Sequence, residues 1–176
     1  FVGGDLPRKG GHHLLEAFGH VRAKRGDRVE LHLVTRTAVD PTDGVFVYAN
    51  MTPNSAELVD LYHRSHIFCL PTLADCLPMV LPEAAAAGLT LVSTDVGAIG
   101  EIVRNDETGL LVAVGDVAGL EVALDRLVGD EPLRRRLAAA AFDLVSRDHD
   151  AATNAGRIAD VIRAAHDAGF QTTSRP

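Results

Sequence analysis

The sequence predicts an α/β fold: a doubly wound, Rossmann-like, mostly parallel sheet of about six strands with helices on both faces. Three observations carry that prediction. Short apolar runs alternate with helical stretches as far as residue 112. Those runs are almost continuously apolar, as parallel strands covered on both faces are. Beyond residue 112 the pattern is helical only. Right-handed crossovers between parallel strands then favour the doubly wound arrangement. At 176 residues, 47% of them hydrophobic, the chain can fill one complete core.

Taken in order, Phe1-Val2 reads as a strand end, Gly3 to Lys9 as a loop, and Gly10 to Arg25 as a helix with Leu14, Leu15, Phe18 and Val21 on one face. Val29 to Val34 and Val45 to Tyr48 read as strands, separated by a polar loop containing Pro41. Asn54 with Glu57 three residues on resembles a capping box that opens a helix to about Ser65. Next come a strand at Ile67 to Leu70, a helix from Pro78 or Met79 to Ala87, and a strand at Leu89 to Ser93. A short helix at Ala98 to Val103, a turn at Asn105 to Gly109 and a strand at Leu110 to Val112 complete the sheet. The helices that follow start at Asp116, Asp130 and Asp150, each an N-cap residue type, and Pro132 sits in the first turn of the second. The expected organisation is a ligand-binding domain over residues 1–149, a C-terminal helix over 150–170 that packs on a further domain, and a frayed tail over 171–176. Because the chain opens on Phe1-Val2-Gly3-Gly4 without an initiator methionine, it is expected to be cut from a longer protein.

A formal charge of −7 disfavours a general nucleic-acid binder, which needs clustered Lys and Arg to neutralise phosphates. No run of about eighteen apolar residues is present, so no membrane contact is expected of this domain. Cys69 and Cys76 are too few for a disulfide framework and lack metal-site spacing, which favours a reducing, cytoplasmic setting. Among the histidines at 12, 13, 20, 63 and 66, adjacent His12 and His13 face different sides of a helix and His63 and His66 have no evident acidic partner, so solvated or capping roles are expected rather than a metal site, and no cofactor is expected.

Two loops carry candidate chemistry, and both follow strand carboxyl ends, where open parallel sheets bind ligands. The first, Gly3-Gly4-Asp5-Leu6-Pro7-Arg8-Lys9-Gly10-Gly11, joins glycines and two cations to a helix start. It is either a phosphate site or a solvated turn. The second runs from Pro71 to Gly88. There, between Cys76 and Thr94, Glu83 is the only charged side chain, on a helix that is apolar on every face, so it is expected among protein and in need of a partner. Glu83 either satisfies the helix dipole or accepts hydrogen bonds from vicinal sugar hydroxyls, with the N–H groups of Leu77, Met79 and Val80 facing an anion beside it.

The runs Phe1-Val2-Gly3-Gly4, Arg8-Lys9-Gly10 and Leu14-Leu15-Glu16-Ala17-Phe18 together resemble the opening of the C-terminal domain of group 1 (family four) retaining glycosyltransferases, one half of a GT-B fold. Pro71-Thr72 through Asp75 to Glu83-Ala84, with seven residues between the carboxylates, is similar to that family's two-carboxylate motif. Val92 to Gly97, Glu101-Ile102-Val103 and Thr108 to Val112 match its next segments in order, and the resemblance covers about residues 1–145.

The resemblance implies a domain that binds a nucleotide-sugar donor and needs an N-terminal domain of the same chain to bring the acceptor, so the fragment alone is expected to be inactive. It implies that Glu83 holds the donor ribose and Asp75 the hydroxyls of the transferred sugar. The diphosphate would lie on Gly3, Gly4, Arg8 and Lys9 and on the backbone N–H groups of Cys76, Leu77, Met79 and Val80, with the base near Asn50 and Met51. No nucleophile and no metal ligand is identified. A nucleotide-sugar epimerase of the same fold, or an interaction domain that has lost the site, remains open. Four departures stand out. Asp75 replaces a usual Glu, and Gly4 replaces a usual Arg, for which Arg8 is the candidate substitute. Pro82 is expected to distort its helix turn. Ala98 and Gly100 replace a usual Gly and Pro.

Overall fold

A computed structural model describes residues 1–167. The expected frayed tail at 171–176 and the last residues of the C-terminal helix lie outside the described residues. In order the elements are α1 (Gly11–Arg25), β1 (Leu31–Val34), β2 (Val45–Tyr48), α2 (Ala56–Arg64), β3 (Ile67–Leu70), α3 (Val80–Ala86), β4 (Thr90–Thr94), β5 (Gly109–Val112), α4 (Val117–Gly129), α5 (Glu131–Asp148) and α6 (Ala151–Asp167).

All ladders are parallel. β1 pairs with β2, and β4 lies between β3 and β5. Among the described residues five strands form rather than about six, because Phe1-Val2 contributes a single bridge, Val2 to Val34, and no ladder. Val34 donates to the Phe1 carbonyl and accepts from Gly3 N, both at 2.9 Å, so Val2 lies on the edge of β1 away from β2. The Phe1 amino group is close enough to Cys69 of β3 for the two to interact electrostatically, which sets this segment between the two ladders. The order across the molecule is therefore β2, β1, Val2, β3, β4, β5. The direction of chain progression reverses between Val2 and β3, the place where a doubly wound sheet opens a ligand crevice at its carboxyl edge.

Helices lie on both sides of the sheet, with α1 packed on α4 and α3 on α5. Leu33, Leu70, Leu91, Ile99, Ile102 and Leu127 are among the completely buried side chains of one continuous core. Asp116 and Asp130 cap α4 and α5 as expected, their carboxylates accepting from Gly119 N at 2.8 Å and Leu133 N at 2.9 Å.

α2 departs from expectation. Its cap is Ser55, whose hydroxyl accepts from Leu58 N at 3.3 Å. Asn54 takes a left-handed conformation with φ 60°, which Asn tolerates better than most residues, and leaves the extended cap position to Ser55. Glu57 then stands one residue too early to close the box. Pro82 produces no break, because it falls in the first turn of α3, where its missing N–H would have no partner within the helix. α6 leaves Ile158, Val161 and Ile162 exposed on one face. Among the described residues no helix is long and apolar enough to cross a membrane.

Candidate functional site

The loop after Val2 and the loop after β3 are held against each other by backbone. Leu73 N donates to the Arg8 carbonyl at 3.0 Å, and the Thr72 hydroxyl donates to the same carbonyl at 3.3 Å. Gly10 permits this approach: its φ is 72°, and a Cβ there would fall 1.8 Å from the Pro71 carbonyl oxygen. From the far side, the loop after β4 backs the Asp75 turn. Ala98 N donates to the Cys76 carbonyl at 2.8 Å, and Gly97, with φ 56°, would place a Cβ 2.3 Å from the Asp75 carbonyl oxygen. Where Ala98 and Gly100 stand, that loop folds as a single 3-10 turn over Ile99–Glu101. Both candidate loops therefore meet at the carboxyl edge of the sheet.

The charges inside the crevice are already partnered. Lys9 forms an ion pair with Asp75, both side chains 14% exposed, and the Thr72 hydroxyl lies 3.3 Å from the same carboxylate oxygen. Arg8 donates through Nη1 to the Ala74 carbonyl at 3.0 Å and through Nε to Asp5 at 3.2 Å, and it approaches Asp75 to 3.9 Å. The two cations of the first loop thus face two carboxylates. Asp75 is paired with Lys9, and Arg8 is engaged by Asp5 and the Ala74 carbonyl.

Several backbone donors are unengaged. Within the first loop the N–H groups of Gly3, Leu6, Arg8, Lys9, Gly10 and Gly11 all find acceptors, which leaves those of Gly4 and Asp5 open. In the turn after Asp75, the N–H groups of Cys76, Leu77, Met79 and Val80 have no acceptor among the described residues. Cys76 is exposed. Cys69 is sealed in the core, where burial pushes its thiol up to about 12.

Glu83 is not enclosed by protein. It lies exposed at the rim of a groove of about 240 Å³ between α2 and α3, with Asn54, Leu58, Tyr62 and His63 among its walls. The expected partner is present: Tyr62 Oη donates to Glu83 Oε2 at 3.3 Å. Burial, with the Glu83 carboxylate adding to it, pushes the Tyr62 phenol well up, so it stays a donor. One long hydrogen bond leaves most of the carboxylate's acceptor capacity open. Asn50 is exposed in the loop after β2, and Met51 packs partly against the core. The residue of this loop that reaches the Glu83 groove is Asn54. A larger cavity of about 480 Å³ lies at the opposite, amino-terminal edge of the sheet, around Phe1, Leu31, Ile67 and Cys69, and contains none of the crevice residues.

A family model described as "Glycosyl transferases group 1" matches residues 1–130. The chain belongs to this glycosyltransferase family. A glycogen synthase of Mycobacterium tuberculosis is 39% identical over 109 residues, covering 62% of this chain and 26% of that protein. The MMP alpha-(1->4)-mannosyltransferase of Mycolicibacterium hassiacum is 33% identical over 143 residues, covering 76% of this chain and 34% of that protein. The chain therefore spans about a quarter to a third of the length of these curated relatives. Among solved structures, the C-terminal domain of LpcC, a group 1 glycosyltransferase of Francisella tularensis, superposes with a TM-score of 0.72 at 21% identity and 85% coverage of each chain. Anabaena HepE in complex with UDP-glucose superposes with a TM-score of 0.77 at 19% identity, over 93% of this chain and 49% of that one. These likenesses establish the fold as that of a GT-B glycosyltransferase domain.

Within this glycosyltransferase chain, the structure brings Lys9, Arg8, Asp75 and the turn that follows Asp75 together where the two loops meet. Sequence reasoning missed Tyr62 and Asn54, which were read only as parts of a helix and its cap. The signal for Tyr62 was an aromatic hydroxyl on the apolar face of α2, where burial demands a hydrogen-bond partner.

Proposed function

We propose that this chain is the nucleotide-sugar donor-binding domain of a retaining glycosyltransferase. The observation that carries the reading is the meeting of the two loops: Lys9 and Arg8 lie beside Asp75, which is followed in the chain by a turn with four unengaged N–H groups and then by Glu83 on α3. A diphosphate fits this donor set, because it accepts from N–H groups and competes with Asp75 for Lys9. Once Lys9 turns to phosphate, the Asp75 carboxylate is released as an acceptor for sugar hydroxyls. Glu83 accepts from the ribose hydroxyls. As the bond to the sugar breaks, Lys9, Arg8 and the turn donors offset the charge that grows on the departing diphosphate. The UDP and UDP-glucose complexes of Anabaena HepE support the ligand class.

The acceptor site belongs to an N-terminal domain, so transfer is a property of the two domains together. Calorimetric titration of UDP, GDP and ADP tests the donor role. At least one of them should bind, and Glu83→Ala should weaken it about tenfold, the loss of a charge-assisted hydrogen-bonding partner. Absence of binding by all three would sink the reading, and binding indifferent to Glu83 would remove the ribose assignment.

A further inference from the structure

Resting on the donor-binding reading, we infer that Arg36, at the carboxyl end of β1, is the uncompensated cation that binds the donor diphosphate, reaching over the bare backbone of Gly4.

The first loop lies along the end of β1: Gly3 N donates to the Val34 carbonyl at 2.9 Å, and Leu6 N to the Thr37 hydroxyl at 3.3 Å. Between these two ties, the Arg36 guanidinium settles on Gly4. A Cβ built on Gly4 would lie 3.1 Å from Arg36 Nη2 and 3.2 Å from Nε, so any side chain at position 4 would compete with the guanidinium for its place. A Cβ on the neighbouring Gly3 would lie 3.1 Å from Lys9 Cγ. Lys9 thus packs against Gly3 and Arg36 against Gly4, whose N–H has no acceptor among the described residues.

Charge balance separates the two cations. Arg8 and Lys9 are matched by Asp5 and Asp75, which leaves no net positive charge for a ligand that brings at least two negative ones. Arg36 is exposed, and it has no hydrogen bond or ion pair among the described residues. Its charge is permanent, and its planar fork suits two phosphate oxygens at once. A guanidinium over the glycine pair is placed to meet an anion that also reaches Gly4 N–H and Lys9.

The test compares UDP, GDP and ADP with the corresponding monophosphates by calorimetry, on wild type, Arg36→Ala, Arg36→Lys and the double variant Arg36→Ala with Gly4→Arg. For the diphosphate that wild type binds, Arg36→Ala is expected to weaken affinity about ten- to hundredfold, with a smaller loss for the monophosphate and an unchanged melting temperature. Lys should recover part of the affinity. Arg at position 4, entering the space that Arg36 vacates, should recover more. Should Arg36→Ala fail to fold, Arg36→Gln serves instead: it keeps a long polar side chain over Gly4, removes the charge, and should weaken diphosphate binding to a similar degree. Wild-type binding that Arg36→Ala leaves intact, or an equal loss for mono- and diphosphates, would overturn the role of Arg36 alone. Failure of wild type to bind any diphosphate overturns the donor-binding reading, and this inference with it.

Discussion

Lys9 and Asp75 hold each other in a crevice that water only partly reaches, and this decides what substitutions there should do. Replacing Asp75 with Asn removes the charge that occupies Lys9. Local positive charge rises by one, and UDP or its purine equivalents should bind about three- to tenfold tighter, as expected for a unit charge several ångströms away at intermediate effective dielectric. Sugar transfer by the complete enzyme should fall, because Asn offers the sugar a weaker acceptor. Calorimetry and donor turnover measured side by side check both halves, and unchanged affinity would mean that Lys9 does not meet the diphosphate. Gly97 acts by having no side chain. Its left-handed backbone and the Asp75 and Cys76 carbonyls pressed against it leave no room for a methyl group. Gly97→Ala should cost roughly 1–3 kcal/mol from backbone strain alone, with more from the displaced turn, read as a lower midpoint in urea.

At the scale of elements, the outer edge of the sheet carries a pH-sensitive stack. His32 of β1 stacks on Phe46 and Tyr48 of β2, with ring centroids 5.1 and 5.8 Å away, and its Nδ1 lies 2.8 Å from the Tyr48 hydroxyl. Burial holds its pKa below the ordinary histidine value, with nearby Glu30 opposing but not cancelling the effect. The unfolded chain therefore takes up the proton first. The stabilising contribution is present above pH about 6.5 and is lost as pH falls through the lower folded-state value. His32→Gln should flatten the fall in melting temperature between about pH 7 and pH 5; a slope identical to wild type would place the titration elsewhere. The same scale shows what could be read without coordinates. Apolar runs bounded by Pro and Gly marked the strand ends, and the ends placed both loops. The cap of α2 was read one residue early because Asn and Ser are both good cap residues, and only the left-handed backbone of Asn54 decides between them. Glu83 was misplaced inside protein because α3 has no polar face to show which side meets water. Met79, 65% exposed, turns out to share the open side.

For the molecule as a whole, a net charge of −7 conceals a crevice whose own charges nearly cancel, with Arg36 left over. Composition could not show this. Arg36 stands in what reads as an ordinary polar loop, and only the order β2, β1, Val2, β3 brings that loop beside Gly4. Burial likewise divides the two cysteines: Cys69 is closed in the core, whereas Cys76 is exposed in the turn whose N–H groups are proposed to meet the diphosphate. That division makes the chain its own footprinting reagent. Under native conditions iodoacetamide should alkylate Cys76 and spare Cys69, as mass spectrometry of the digested protein would show. A bound nucleoside diphosphate should slow the labelling in proportion to occupancy, so that occupancy can be followed by the mass of one peptide; equal labelling at both thiols, or rates blind to ligand, would contradict the placement of that turn.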